Sequence, residues 1–124
     1  NQSYREHIKL LLADHFPQCQ VYDPLADHQD SLNYDDDQAR KVFLAHNQLC
    51  SGVDLLLAFV PEASMGTAIE MWEAYRHGAV VIAVSPLVHN WAIKFCSDHV
   101  YSDLDAFQAG LESGHVQQWI EKKK

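Results

Sequence analysis

The chain has 124 residues, 48% of them hydrophobic, and carries 17 acidic against 9 basic side chains for a formal net charge of −8. That length is one domain, 1–124, and so much apolar residue supplies a core and argues against global disorder. The acidity argues against a nucleic-acid polymer or an anionic membrane as partner, since both select basic surfaces, but leaves open a small anionic ligand held by backbone N–H groups at a helix start.

In chain order, Tyr4 to Phe16 reads as an amphipathic helix, with Ile8, Leu11, Leu12 and Phe16 at helical spacing and Ser3 as N-cap. "CQVYDP" reads as a short strand stopped by Pro24, and the polar, aperiodic run from Leu25 to Asp35 as a loop. Asp36 to Leu49 is a second helix, its start marked by the acidic run Asp35, Asp36 and Asp37, a solvated face that suits the helix macrodipole. "VDLLLAFV" is a continuous apolar run, the pattern of a strand buried on both faces. Met65 to His77 is a third helix closed by Gly78, "AVVIAVSP" a second buried strand, and His89 to Phe95 a short helix. "HVYSD" is a last strand, Leu104 to Leu111 a helix, and Gly114 a break before a final amphipathic segment ending in lysines.

Helices alternating with short apolar strands predict a parallel sheet covered on both sides, a three-layer α/β domain of Rossmann-like, flavodoxin-like type. Such a domain usually opens on a strand. This sequence opens on a helix and lacks an initial Met, so a first strand is expected to be missing from it. Cys19, Cys50 and Cys96 are an odd set with no C-x-x-C spacing, which predicts three buried free thiols rather than disulfides or structural zinc. Eight histidines show no H-x-H or H-x-x-x-H pair, so no metal and no cofactor is expected. No secretory signal and no apolar run of ~20 residues is legible, which makes cytoplasmic the expected location.

Ligands of open parallel sheets bind outside the carboxyl ends of the strands. Three such ends are visible, "YDPLADH", "FVPEASMGT" and "VSPLVHN", and the middle one carries the richest chemistry. Ser64 is a good N-cap, and Gly66 lets a ligand approach the backbone. The N–H groups of Met65, Gly66 and Thr67 would form an anion or hydroxyl site. Glu70 lies one turn further on, beside a stripe in which Ile69 and Trp72 look core-facing. A carboxylate there would be partly desolvated, with a tunable pKa, and could serve as nucleophile or acid/base. A plain cap at Ser64 and a solvated charge at Glu70 are the bland alternatives. Asp23 and Asn33, near the first strand end, are candidates for a ribose hydroxyl or base, with a turn role as the alternative. Asp54, at the amino end of its strand, reads as structural.

The stretch "VDLLLAFVPEASMGTAIEMWEAYRHGAVVIAV", about a quarter of the chain, resembles the central motif of the nucleoside 2-deoxyribosyltransferase family. That family has an Asp opening a buried strand, a Pro-containing turn, a Ser or Asp six residues before a Glu and a Gly four before it; here these are Asp54, Pro61, Ser64, Gly66 and Glu70. The resemblance implies that Glu70 is the nucleophile attacking C1′ of a deoxyribose. The base leaves, a glycosyl-enzyme ester forms, and a second base or water resolves it, as in a retaining glycosidase. The transferases tend to have Asp where Ser64 stands. The 2′-deoxynucleoside 5′-monophosphate N-hydrolase branch has Ser there, helping to hold the 5′-phosphate, so Ser64 leans towards a monophosphate substrate or hydrolysis. The family's first strand and its Gly-containing loop are not in this sequence, and an acidic position of the family is occupied by His46.

"GTxxE" is also similar to part of the motif of phosphoribohydrolases that release cytokinin bases, without their glycine pair. That enzyme class, and a non-catalytic nucleotide-binding module, are the alternative readings. The resemblance further implies a homodimer or dimer-based assembly, with a neighbouring subunit closing the pocket through the helices flanking Glu70 and with Trp72, Tyr75 and Trp91 as contact candidates.

Overall fold

Helix α1 spans Ser3–His15, and a 3-10 turn at Ser31–Asn33 precedes helix α2 at Asp36–Cys50. Strands and helices then alternate: β1 Leu55–Phe59, α3 Met65–Arg76, β2 Val80–Val84, α4 Trp91–Phe95 and β3 His99–Tyr101. Helices α5, Leu104–Ser113, and α6, His115–Lys123, follow. These elements come from a computed structural model that describes residues 3–22 and 31–123. Among those residues, no helix is long and apolar enough to cross a membrane.

Local chemistry sets the helix boundaries. Asp35 is more than a solvated charge: its Oδ1 accepts from the Gln38 N–H at 2.8 Å while its own N–H donates to Gln38 Oε1 at 3.2 Å, a reciprocal cap on α2. Asn90 and Asp103 cap α4 and α5, accepting from the N–H groups of Ile93 and Ala106. Gly78 (φ 88°) and Gly114 (φ 85°) take the left-handed conformation that ends α3 and α5, one that a side chain would strain. Helix α1 begins on Ser3 itself rather than after it.

The three strands form a parallel sheet in the order β1-β2-β3. Leu55 pairs with Val80 and Phe59 with Val84; Ile82 pairs with His99 and Val84 with Tyr101. β2 is central and all five of its residues are buried, alternating between two cores. Val81 and Ala83 face Cys50 of α2, Met71 and Ala74 of α3, and Ile93 of α4. Val80, Ile82 and Val84 face Phe107 and Leu111 of α5, Val116 of α6, Leu11 and Leu12 of α1, and Phe16 just beyond it. The result is a mixed α/β fold with helices on both faces of an open parallel sheet, compatible with a Rossmann-like domain.

At the amino end of the sheet, Asp98 Oδ2 accepts from the Val81 N–H at 2.8 Å and from Lys123 Nζ at 3.0 Å. Lys123 Nζ also donates to the Ala79 carbonyl at 2.7 Å, so α6 is tied to the start of β2.

Three expectations are corrected. Residues 19–22, expected as a strand, are irregular and exposed, and no ladder partner lies beside them among the described residues. Extended backbone without a neighbour to hydrogen-bond gains nothing over water. Ile69 and Trp72 are 42% and 50% exposed instead of core-facing. The buried face of α3 is Met71 and Ala74, three apart, where small Ala74 lets the helix sit close on β2. The three cysteines are free, but only Cys50 is buried; Cys19 is exposed and Cys96 half-buried.

Candidate functional site

β1 ends at Phe59, and Val60 extends its pairing by donating to the Val84 carbonyl at 2.9 Å. Ser85, just past β2, holds the two strand ends together. It is buried, its Oγ donates to the Val60 carbonyl at 2.5 Å, and the same Oγ accepts from the Leu87 N–H at 3.1 Å. The exposed turn from Pro61 to Ser64 therefore leaves a fixed platform.

Ser64 has extended backbone (φ −141°, ψ 119°) and caps α3, its Oγ accepting from the Thr67 N–H at 3.3 Å. That bond engages one of the three N–H groups expected to face a ligand. The N–H groups of Met65 and Gly66 remain as first-turn donors with no intrahelical acceptor. The Met65 side chain is 87% exposed beside them. Gly66 has no positive φ, and a Cβ there would meet nothing within 4 Å, so the protein's own packing does not require glycine at this position.

Glu70 lies one turn beyond Gly66 and is half-buried where α3 packs on α2. Its Oε2 is 4.0 Å from Cys50 Sγ, the long limit of an S–H···O contact. Burial raises the Glu70 pKa above the ordinary carboxylate value, and the Arg5 guanidinium on α1 opposes the rise. The carboxylate is thus partly desolvated as expected, but its neighbour is α2 rather than a stripe of Ile69 and Trp72. The Cys50 thiol is pushed up to about 11, first by its own burial and then by the Glu70 and Glu73 carboxylates. At neutral pH it stays protonated and can donate to Glu70 without competing as a nucleophile.

Asn33 ends the 3-10 turn before α2 and is exposed, with no hydrogen bond to the Ser64–Glu70 turn among the described residues. Asp23 lies outside the described residues. Among those described, no group of three or more His, Cys, Asp or Glu side chains is placed to hold a metal ion.

Sequence reasoning missed three participants: Cys50, Arg5 and Ser85. Each acts from an element remote in sequence from the turn, and no spacing rule connects them. For Ser85 a signal was available, since "VSP" stands at a strand end and a hydroxyl there can bridge neighbouring strands. Compared with known protein families and with curated proteins, the chain matches none.

Proposed function

We propose that the chain cleaves or transfers the N-glycosidic bond of deoxynucleosides or their 5′-monophosphates, with Glu70 as nucleophile. The observation that carries the reading is the half-buried Glu70 carboxylate, one turn behind a Ser64-capped helix start at a strand's carboxyl end. A desolvated carboxylate is a stronger nucleophile towards an oxocarbenium-like C1′ than a hydrated one, provided it is ionised. The Met65 and Gly66 N–H groups supply donors for a sugar oxygen or a phosphate, and helix polarity favours negative charge there. Glu70 then forms the glycosyl ester as the base departs, and water or a second base opens it. Support for Ser64 as a phosphate contact is its free hydroxyl proton: its oxygen accepts from Thr67, and its O–H is left to donate.

The same reading includes a homodimer or dimer-based assembly. Trp72, Tyr75 and Trp91, on α3 and α4, are 50%, 42% and 78% exposed, aromatic surface that suits an isologous contact.

The test is incubation with a panel of deoxynucleosides and their 5′-monophosphates, with chromatography of the free base. Base release supports the enzyme. Saturable binding with no release supports the non-catalytic nucleotide-binding module instead.

A further inference from the structure

Three different kinds of contact hold α6 to the rest of the domain. Val116 is buried in the core it shares with Phe107 and Leu111 of α5. Lys123 Nζ clasps the Ala79 carbonyl and the Asp98 carboxylate. Between them, the Trp119 ring stacks on the His99 ring of β3, with centroids 5.2 Å apart and planes 29° from parallel. Val116, Trp119 and Lys123 are spaced by three and four, so one stripe of the helix makes all three contacts. Of these groups only the imidazole ordinarily changes charge between pH 5 and pH 8.

Its surroundings disfavour that charge. Residues two apart on a strand share a face, so His99 and Tyr101 both lie under α5 and α6. The Tyr101 ring stands edge-on to His99 at 4.5 Å and is itself set against Phe107 at 5.8 Å. From α6 come His115, Lys123 and Lys122, whose ammonium is 5.3 Å from the Trp119 ring centroid. Asp98, next to His99 in the chain, spends its Oδ2 on the Val81 N–H and Lys123. Asp103 caps α5, Asp105 and Glu112 of α5 and Glu121 of α6 are exposed, and β2 has no titratable side chain. A charged His99 would therefore be a second cation beside a ring that already has Lys122. Burial first, and then His115, hold the His99 pKa below the ordinary histidine value.

We propose that His99 is an acid-sensitive latch on the C-terminal half of α6: the neutral imidazole keeps Trp119 docked, and its protonation frees the segment from Trp119 to Lys123 while Val116 stays anchored. The sign follows from linkage. As pH falls from 6.5 towards the depressed folded value, the undocked form takes up the proton first, so docking weakens across that window and no further below it. Release uncovers apolar surface on Trp119 and Ile120, and withdraws Lys123 from the start of β2. The latch lies apart from the Ser64–Glu70 turn and does not rest on the glycosidic reading.

The test is NMR of the protein titrated from pH 7 to pH 5, following the His99 ring, the Trp119 indole N–H and amide hydrogen exchange along α6. The expected result is a His99 midpoint below 6.5 and a Trp119 signal that moves with it. Protection from Trp119 to Lys123, corrected for intrinsic exchange, should fall about threefold or more while that of Val116 holds. Unchanged protection overturns the proposal. So does increased protection at acid pH, since the imidazolium then binds the indole instead of leaving it. His99→Phe keeps an aromatic ring and removes the charge, so its protection should be the same at both pH values; a loss equal to that of the wild type assigns the effect to another group and overturns the latch. If His99→Phe does not fold, His115→Gln decides. Removing that like charge should raise the His99 midpoint and shrink the loss, and an unchanged midpoint and loss overturn the proposal.

Discussion

Cys50 and Glu70 face each other across the α2–α3 contact, Sγ to Oε2 at 4.0 Å, and burial raises the cost of ionising both, with the carboxylate adding to the cost at the thiol. The thiol remains protonated, and the carboxylate holds its proton to a higher pH than an exposed one. This has opposite consequences for stability and for chemistry.

For stability the sign is fixed by linkage. Between the ordinary Glu value of 4.5 and the raised folded value, the folded state binds more protons than the unfolded state. The contribution of Glu70 therefore falls as pH rises through that window, and at neutral pH its charge opposes folding. Glu70→Gln should melt at or above the wild-type temperature at pH 7, by calorimetry, while base release falls by several orders of magnitude. In the wild type the acid limb of the rate should lie above pH 4.5, because only the ionised carboxylate attacks. A variant that keeps most of its base release removes Glu70 from the mechanism.

Thiol labelling separates the cysteines. Cys19 is exposed, whereas Cys50 is buried with its pKa at about 11. Iodoacetamide at pH 8 should modify Cys19 first and leave Cys50 unmodified in the folded protein, as read by peptide mass spectrometry. Early labelling of Cys50 would mean that the α2–α3 contact opens readily.

Ser64 has two roles to separate, cap and ligand contact. Ser64→Asp keeps a capping oxygen, so the melting temperature should change little. The added charge should repel a 5′-phosphate and raise KM for the monophosphate at least about tenfold more than for the free nucleoside, the scale of one charge-assisted hydrogen bond. Equal effects on both substrates would leave Ser64 as a cap alone.

Gly110 is required by packing. A Cβ there would come within 2.7 Å of Cζ and 2.8 Å of Cε1 of the Tyr101 ring, which is fixed between α5 and β3. Gly110→Ala should cost about 1–3 kcal/mol in a denaturant titration. The buried Tyr101 hydroxyl has no hydrogen-bond partner among the described residues. Tyr101→Phe should therefore hold or gain stability, and should soften the penalty at Gly110 when the two are combined.

Much of the fold was legible because its signals are local. The apolar runs around Leu57 and Ile82, the cap before Met65, and Gly78 and Gly114 specify elements within a few residues. The strand expected at residues 19–22 does not form, because pairing depends on a neighbour that their own sequence cannot supply. The core face of α3 was misread because hydrophobicity ranks Trp72 and Ile69 above Ala74, whereas close packing against β2 favours the small side chain. At the site, Ser64 and Glu70 stood out because one turn carries both. Arg5 and Cys50 reach Glu70 from two other helices, and only the tertiary arrangement shows it.

The bonds from Lys123 to Ala79 and Asp98 span 44 and 25 residues. During synthesis, all three strands emerge from the ribosome before Lys123 does. The start of β2 is then left with the Ala79 carbonyl unclasped and the Asp98 carboxylate without its ammonium partner, and α6 cannot yet shield His99 at the β3 edge. A nascent chain held by a C-terminal extension so that β3 but not Lys123 has cleared the tunnel should be cut by protease near β3, and one extended until Lys123 clears should resist.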